Sequence, residues 1–181
     1  MVKLEREKTY LAAYIPNDLA DYPSQIISDV YIGVGQSGQP STLRLRRKGD
    51  TYCMTKKIPV QGTDSSRQHE HTIELSQVEY EALAGCSDKI LTKRRFVYPL
   101  AGQQAEIDVF EGRLTGLVVI DFEFTTDKAL ADFQAPDICL AELTQDAVIA
   151  GGQLAGKSYE DVHLALEAYG YKLLHMKGGM A

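Results

Sequence analysis

The 181-residue sequence has few cysteines, no long apolar run and no excess of positive charge. Cys53, Cys86 and Cys139 are odd in number, far apart and without metal-ligand spacing, which argues against a disulfide framework or a zinc site and predicts reduced packing thiols. No apolar stretch approaches the 18 or so residues of a membrane helix, and the opening MVKLEREKTY is charged where a secretory signal is apolar. The expectation is a cytoplasmic protein without a membrane partner. A formal net charge of -6 argues against a general nucleic-acid binder, although it leaves room for a locally basic cleft. With 44% hydrophobic and 24% charged residues and no internal repeat or low-complexity tract, residues 1–181 read as a single domain.

What the sequence does contain is like charges spaced by two: Glu5/Glu7, Arg44/Arg46, Lys93/Arg95 and Asp121/Glu123. Side chains two apart on a strand share a face, so each pair projects to one side of its strand. Alternation and turn residues predict strands over 3–13, 30–37, 41–48, 51–58, 67–75, 89–100, 105–112 and 116–125, joined by turns at Gly35-Gln36-Ser37-Gly38, Lys48-Gly49-Asp50, Gly102 and Gly112. Helices are predicted over 18–28 behind Asn17, after Ser76 with its capping partner Glu79, and over about 158–174. Opposite the charged faces stand Leu43 and Leu45, Ile107 and Val109, and Ile120, Phe122 and Phe124. Two architectures fit: a closed antiparallel barrel with a charged interior and helices outside, or an ordinary sheet with a solvated charged face.

Several segments in order resemble the CYTH family, the triphosphate tunnel metalloenzymes. They are EREKTYL at 5–11, LRLRRKGDTYCMTKK at 43–57, TKRRF at 92–96, EIDVFEGRLTGLVVIDFEF at 106–124 and AELTQD at 141–146. The resemblance implies an α+β fold: an eight-stranded antiparallel β-barrel, or tunnel, with a polar charged interior and helices packed outside. It implies hydrolysis of a triphosphate, inorganic or organic, with Mg²⁺ or Mn²⁺. The implied catalytic residues are Glu5, Glu7 and Glu123. Metal-side carboxylates would be Glu5, Glu7, Asp108, Asp121 and Glu123, while Arg44, Arg46, Lys57, Lys93 and Arg95 would hold phosphate oxygens. Lys8, Glu70 and Glu74 are secondary candidates. An adenylate cyclase on the same scaffold, or a polyphosphate- or nucleotide-binding protein with weakened turnover, are the alternative readings. The partner would be a triphosphate-containing small molecule, and a homodimer is compatible with the sequence.

The family pattern is broken at two points. Thr9 stands where its lysine is expected, with the neighbouring Lys8 facing the other way, and Thr72 replaces an acid after Glu70, leaving Glu74 as the same-face substitute. His69 and His71 flank Glu70 without a third ligand and read as surface residues. Gly151-Gly152-Gln153-Leu154-Ala155-Gly156-Lys157-Ser158 fits a phosphate-binding loop pattern, but the short remainder of the chain cannot supply the parallel sheet such a loop serves. A glycine turn leading into a helix is the other reading.

Overall fold

The computed structural model describes residues 2–33 and 42–176. Nine strands form one antiparallel sheet: β1 (Val2–Ala12), β2 (Ser24–Tyr31), β3 (Leu43–Lys48), β4 (Thr51–Pro59), β5 (Arg67–Leu75), β6 (Ile90–Leu100), β7 (Gln103–Phe110), β8 (Val118–Glu123) and β9 (Cys139–Glu142). Eight of them close a barrel in the order β1-β5-β4-β3-β2-β6-β7-β8 and back to β1. One edge of β1 is shared. Glu7 N–H donates to Ser66 O beside β5, whereas Thr9 O accepts from Leu143 N–H beside β9, and Phe124 N–H reaches Arg6 O on the β8 side. The short helices are α1 (Gln77–Ala84), α2 (Asp127–Asp132), α3 (Gly151–Leu154) and α4 (His163–Glu167). Among the described residues, no helix is long and apolar enough to cross a membrane.

The strand faces follow the alternation. Outward residues Tyr10, Phe96, Ile107, Ile120 and Phe122 pack with Leu130 of α2 and with Ile138 and Phe133 of the following segment, the Phe122 and Phe133 ring centroids 4.6 Å apart. Helix α1 covers another flank, where Tyr80 meets Leu45, Val30, Tyr52 and Leu75. It starts with the predicted capping box: Ser76 Oγ accepts from Glu79 N–H, and the Glu79 carboxylate accepts from Ser76 N–H at 2.8 Å.

A third apolar cluster fills one end of the barrel interior. Leu11, Tyr31, Leu91, Phe110 and Val119 have the same strand parity as the interior charges, and they pack against Leu143, Ile149, Leu154, Val162, Leu166 and Tyr171 from the C-terminal segments. The glycine run belongs to this stopper: after a 3-10 turn at Ala147–Ile149 it makes the single turn α3, and its Leu154 is fully buried. No strand feeds it, so it is not a phosphate-binding loop. A Cβ on Gly151 would lie 1.9 Å from Tyr31 Oη, so Tyr31 would have to move. Gly151→Ala is therefore expected to cost about 1–3 kcal/mol by overpacking. Unchanged thermal unfolding would contradict that close approach.

Three expected elements differ. The predicted helix over 18–28 is a 3-10 turn at Leu19–Asp21, and β2 begins at Ser24. Pro23 forces Tyr22 into extended backbone, at φ -95° and ψ 152°, which stops helical growth and hands the β-branched Ile26, Ile27 and Val30 to the sheet. The predicted strand over 30–37 is the end of β2; residues 34–41, with the turn at Gly35 to Gly38, lie outside the described residues. The helix predicted over 158–174 contracts to His163–Glu167. Ser158 and Asp161 spend their hydrogen bonds on a turn before it, and Gly170 turns to φ +76° after it.

Candidate active site

Cross-strand register assembles the charges. Glu7 on β1 stands directly opposite Glu123 on β8, and Asp121 on β8 directly opposite Glu106 on β7. Like charges opposed in this way repel unless a cation intervenes. Cations do intervene. Lys57 Nζ, from β4, lies 3.0 and 3.1 Å from the two Glu7 oxygens and 2.7 Å from Glu5 Oε2. Lys3 Nζ donates to Glu123 at 2.9 Å and approaches Glu5 Oε1 at 3.7 Å. Arg95 binds Asp108 through a fork, Nε to Oδ1 and Nη2 to Oδ2 at 2.6 Å each, and also reaches Asp121 at 3.3 Å and Glu106. Lys93 pairs with Asp108 beneath, 5.7 Å over the Phe110 ring.

On the other side of the barrel, Arg46 forks onto Asp29 with both bonds at 2.7 Å. Arg44 Nη2 is 3.6 Å from Glu70 Oε2, and Arg44 stands directly opposite Tyr31 across β2 and β3. Among the described residues, two buried side-chain polar atoms remain without a hydrogen bond, Arg44 Nε and Glu5 Oε2. The second has Lys57 as an ion-pair neighbour at 2.7 Å but outside hydrogen-bonding geometry. A buried guanidinium N–H without a hydrogen bond is suited to an anion, whereas the Glu5 oxygen already faces a cation, the Lys57 ammonium.

Burial and neighbours set the protonation. Burial pushes the Glu7 carboxyl above its ordinary value, Lys57 opposes the rise and Asp121 adds to it. Glu106 is likewise raised by burial, against the pull of Arg95. Burial would raise Asp108 too, but Lys93 and Arg95 outweigh it and hold that carboxyl well below the usual range. At Glu5 and Asp29 the nearby cations Lys57 and Arg46 similarly overcome burial, and both pKa values fall.

Among the described residues, no three acidic, histidine or cysteine side chains stand together as a ready metal site. The carboxylates are turned to their lysines and arginines instead. A cavity of about 410 Å³ opens beside Glu106 and Glu123, rimmed by Val97, Gln103, Gln104, Phe124, Thr125 and Ala129. A slightly larger one, about 450 Å³, lies by Gly33 and the segment 85–89, away from these charges.

The structure thus brings Glu5, Glu7, Arg44, Arg46, Lys57, Lys93, Arg95, Asp108, Asp121 and Glu123 onto the interior-facing side of their strands. Glu70 joins them, holding Thr72 Oγ1 at 2.9 Å as well as Arg44. Lys8 does not: it faces outward and bonds Glu142 at 3.3 Å. The regular β1–β8 register past Thr9 contains no bulge that could re-aim it. Thr9 itself faces inward and donates from Oγ1 to Asp121 at 2.7 Å. Glu74 is exposed at the far end of β5, paired in register with Cys53. His69 and His71 are exposed on the outer face. Sequence reasoning missed Lys3, Asp29 and Glu106. The spacing of two reaches Lys3 from Glu5 and Glu106 from Asp108, whereas Asp29 lies beside residues read as helical.

The chain is 35% identical over 107 residues to an inorganic triphosphatase of Nitrosomonas europaea, a match spanning 58% of this chain and 68% of that protein. This chain belongs to the CYTH family. A crystal structure of the inorganic triphosphatase NE1496 superposes with a TM-score of 0.59 at 27% identity, covering 83% of this chain and 93% of that one. A second structure of NE1496 gives a TM-score of 0.61 at 27% identity, covering 85% and 99%. No family model matches the chain. The eight-stranded barrel with charged interior is the architecture that the CYTH resemblance implies, and the segments carrying that resemblance supply β1, β3, β4, β6, β7 and β8.

Proposed function

We propose that this CYTH protein hydrolyses a triphosphate, inorganic tripolyphosphate foremost, with Mg²⁺ or Mn²⁺ as cofactor. The observation that carries this reading is the opposition of Glu7 to Glu123 and of Asp121 to Glu106 inside a barrel whose other wall offers Arg44 and Arg46. Carboxylates of this kind suit small, hard divalent cations, and arginine forks suit phosphate oxygens. The relatives named as inorganic triphosphatases support the same substrate class.

Glu5, Glu7, Asp121 and Glu123 would hold the metal, which when bound neutralises phosphate charge and can lower the pKa of a coordinated water. Arg44, with its unbonded buried Nε–H, and Arg46 would take phosphate oxygens. Lys57 would turn from Glu5 and Glu7 to the substrate once those acids are engaged. Asp108 serves as an anchor: its oxygens hold Lys93 and Arg95 in place, so the cations meet the phosphates already oriented. No protein nucleophile is required, because phosphoryl transfer to water runs on positioning and charge stabilisation.

The test is release of orthophosphate from tripolyphosphate, ATP and thiamine triphosphate, with Mg²⁺ or Mn²⁺ and with chelator. Release from tripolyphosphate that chelator abolishes is the expected result. Binding without release, or a cyclic nucleotide as the product from ATP, would replace the hydrolase reading with a binding or cyclase one.

A further inference from the structure

The fork between Asp29 and Arg46 belongs to none of the metal-side carboxylates. Asp29 is 1% exposed and stands directly opposite Arg46 on β2 and β3. Its two oxygens take Arg46 Nε–H and one Nη2–H at 2.7 Å each. The same carboxylate also feels the charges of Arg44 and Lys93, two cations that have carboxylate neighbours of their own in Glu70 and Asp108, so it stands among three cations proposed to bind phosphate. A carboxylate in an anion site is unfavourable for anion affinity unless it contributes something other than charge. What it can contribute is orientation. A free arginine side chain samples many rotamers, and a fork on Nε and Nη2 fixes the guanidinium plane while leaving the remaining N–H donors to a ligand.

We infer that Asp29 is a positioning residue for the phosphate clamp: it holds Arg46 in one plane so that a triphosphate meets a preset donor. The inference rests on the proposed role of Arg46 in phosphate binding. Pre-organising one such side chain is expected to change affinity roughly three- to tenfold, which is about 0.7–1.4 kcal/mol of binding.

The sign of the effect separates orientation from charge. If Asp29 acts through orientation, Asp29→Asn weakens tripolyphosphate roughly three- to tenfold, although it removes a negative charge from an anion site. If the carboxylate acts only as charge, the same change tightens binding. Tripolyphosphate affinity is measured by calorimetry without added metal, and KM and kcat with Mg²⁺. The expected pattern is a raised dissociation constant and KM with kcat changed much less. An Asp29→Asn, Arg46→Gln double variant should bind no more weakly than Arg46→Gln alone. Arg46→Lys keeps the charge but cannot fork, and should reproduce the loss even if Asp29→Asn does not fold. Unchanged or tighter binding in Asp29→Asn, or wild-type affinity in Arg46→Lys, overturns the inference. Wild-type affinity in Arg46→Gln removes the phosphate role of Arg46 itself and overturns the inference with it.

Discussion

Glu7→Gln is expected to lower metal-dependent phosphate release by about 100-fold or more. Electrostatic stabilisation by a catalytic ion amounts to several kcal/mol, and each 1.36 kcal/mol is a factor of ten in rate. Glu7 is opposed to Glu123 and shares Lys57 with Glu5, so the glutamine removes one charged oxygen donor from the centre of the carboxylate set. The fold should tolerate it. Burial already pushes the Glu7 carboxyl upward, so its charged form is held against a desolvation cost that glutamine does not incur, and Lys57 keeps Glu5. A stability change within about 1 kcal/mol is expected, on the scale of one hydrogen bond. Metal affinity read by calorimetry should fall in parallel with turnover. Full activity in a folded Glu7→Gln protein would remove Glu7 from the metal-side set.

Asp108→Asn should have the largest effect on stability. Asp108 is 1% exposed and holds both Lys93 and Arg95, and breaking a buried pair from one side costs about 3–5 kcal/mol because the remaining charge is left uncompensated. Lys93 can shed part of that cost by losing its proton, since burial already lowers its pKa, but Arg95 cannot. For a chain of this size the loss corresponds to a drop in Tm of roughly 6–20 °C. The pH dependence has a definite sign. A carboxyl whose folded pKa is depressed stabilises the protein above its unfolded pKa, about 3.9, and the contribution fades as pH falls below that value toward the folded one. Wild-type protein should therefore lose stability in the acid range, and Asp108→Asn should show a flatter acid limb. Equal acid limbs, or a Tm within a degree of wild type, would show that Asp108 is not the anchor of this pair.

Strand parity makes most of the interior legible in the sequence. A spacing of two is enough to place Glu5 with Glu7, or Asp121 with Glu123, on one face, because the β-strand period admits no other arrangement. Barrel closure was less accessible: alternation is the same whether the charged face points into a barrel or into solvent, and the pairing of residues 2–6 with 67–71 decides the matter. Asp29 is hidden in the sequence by conflicting local signals. Helical spacing after Asn17 masked Pro23, and a strand read as starting at residue 30 left Asp29 outside it. The pairing of each acid with its cation was also beyond sequence. Nothing in the spacing of Lys57 or Arg95 states that one lysine spans Glu5 and Glu7, or that one guanidinium serves three carboxylates from two strands.

The shared edge of β1 has a kinetic meaning. Strand β1, which is synthesised before the other strands of the barrel, pairs with β5 near its start, with β8 on its other side and with β9 at its end, so its partners reach as far along the chain as Glu142. Contacts this distant carry a large loop-closure entropy and slow the folding of β-rich chains. A nascent chain can form the β3-β4-β5 meander early, but the barrel cannot seal until β8 has emerged. Because Glu5 and Glu7 come from β1 and Asp121 and Glu123 from β8, the carboxylate set comes into being only at that moment of sealing. Chains that have not yet sealed the barrel thus carry the individual charges without the carboxylate set they later compose.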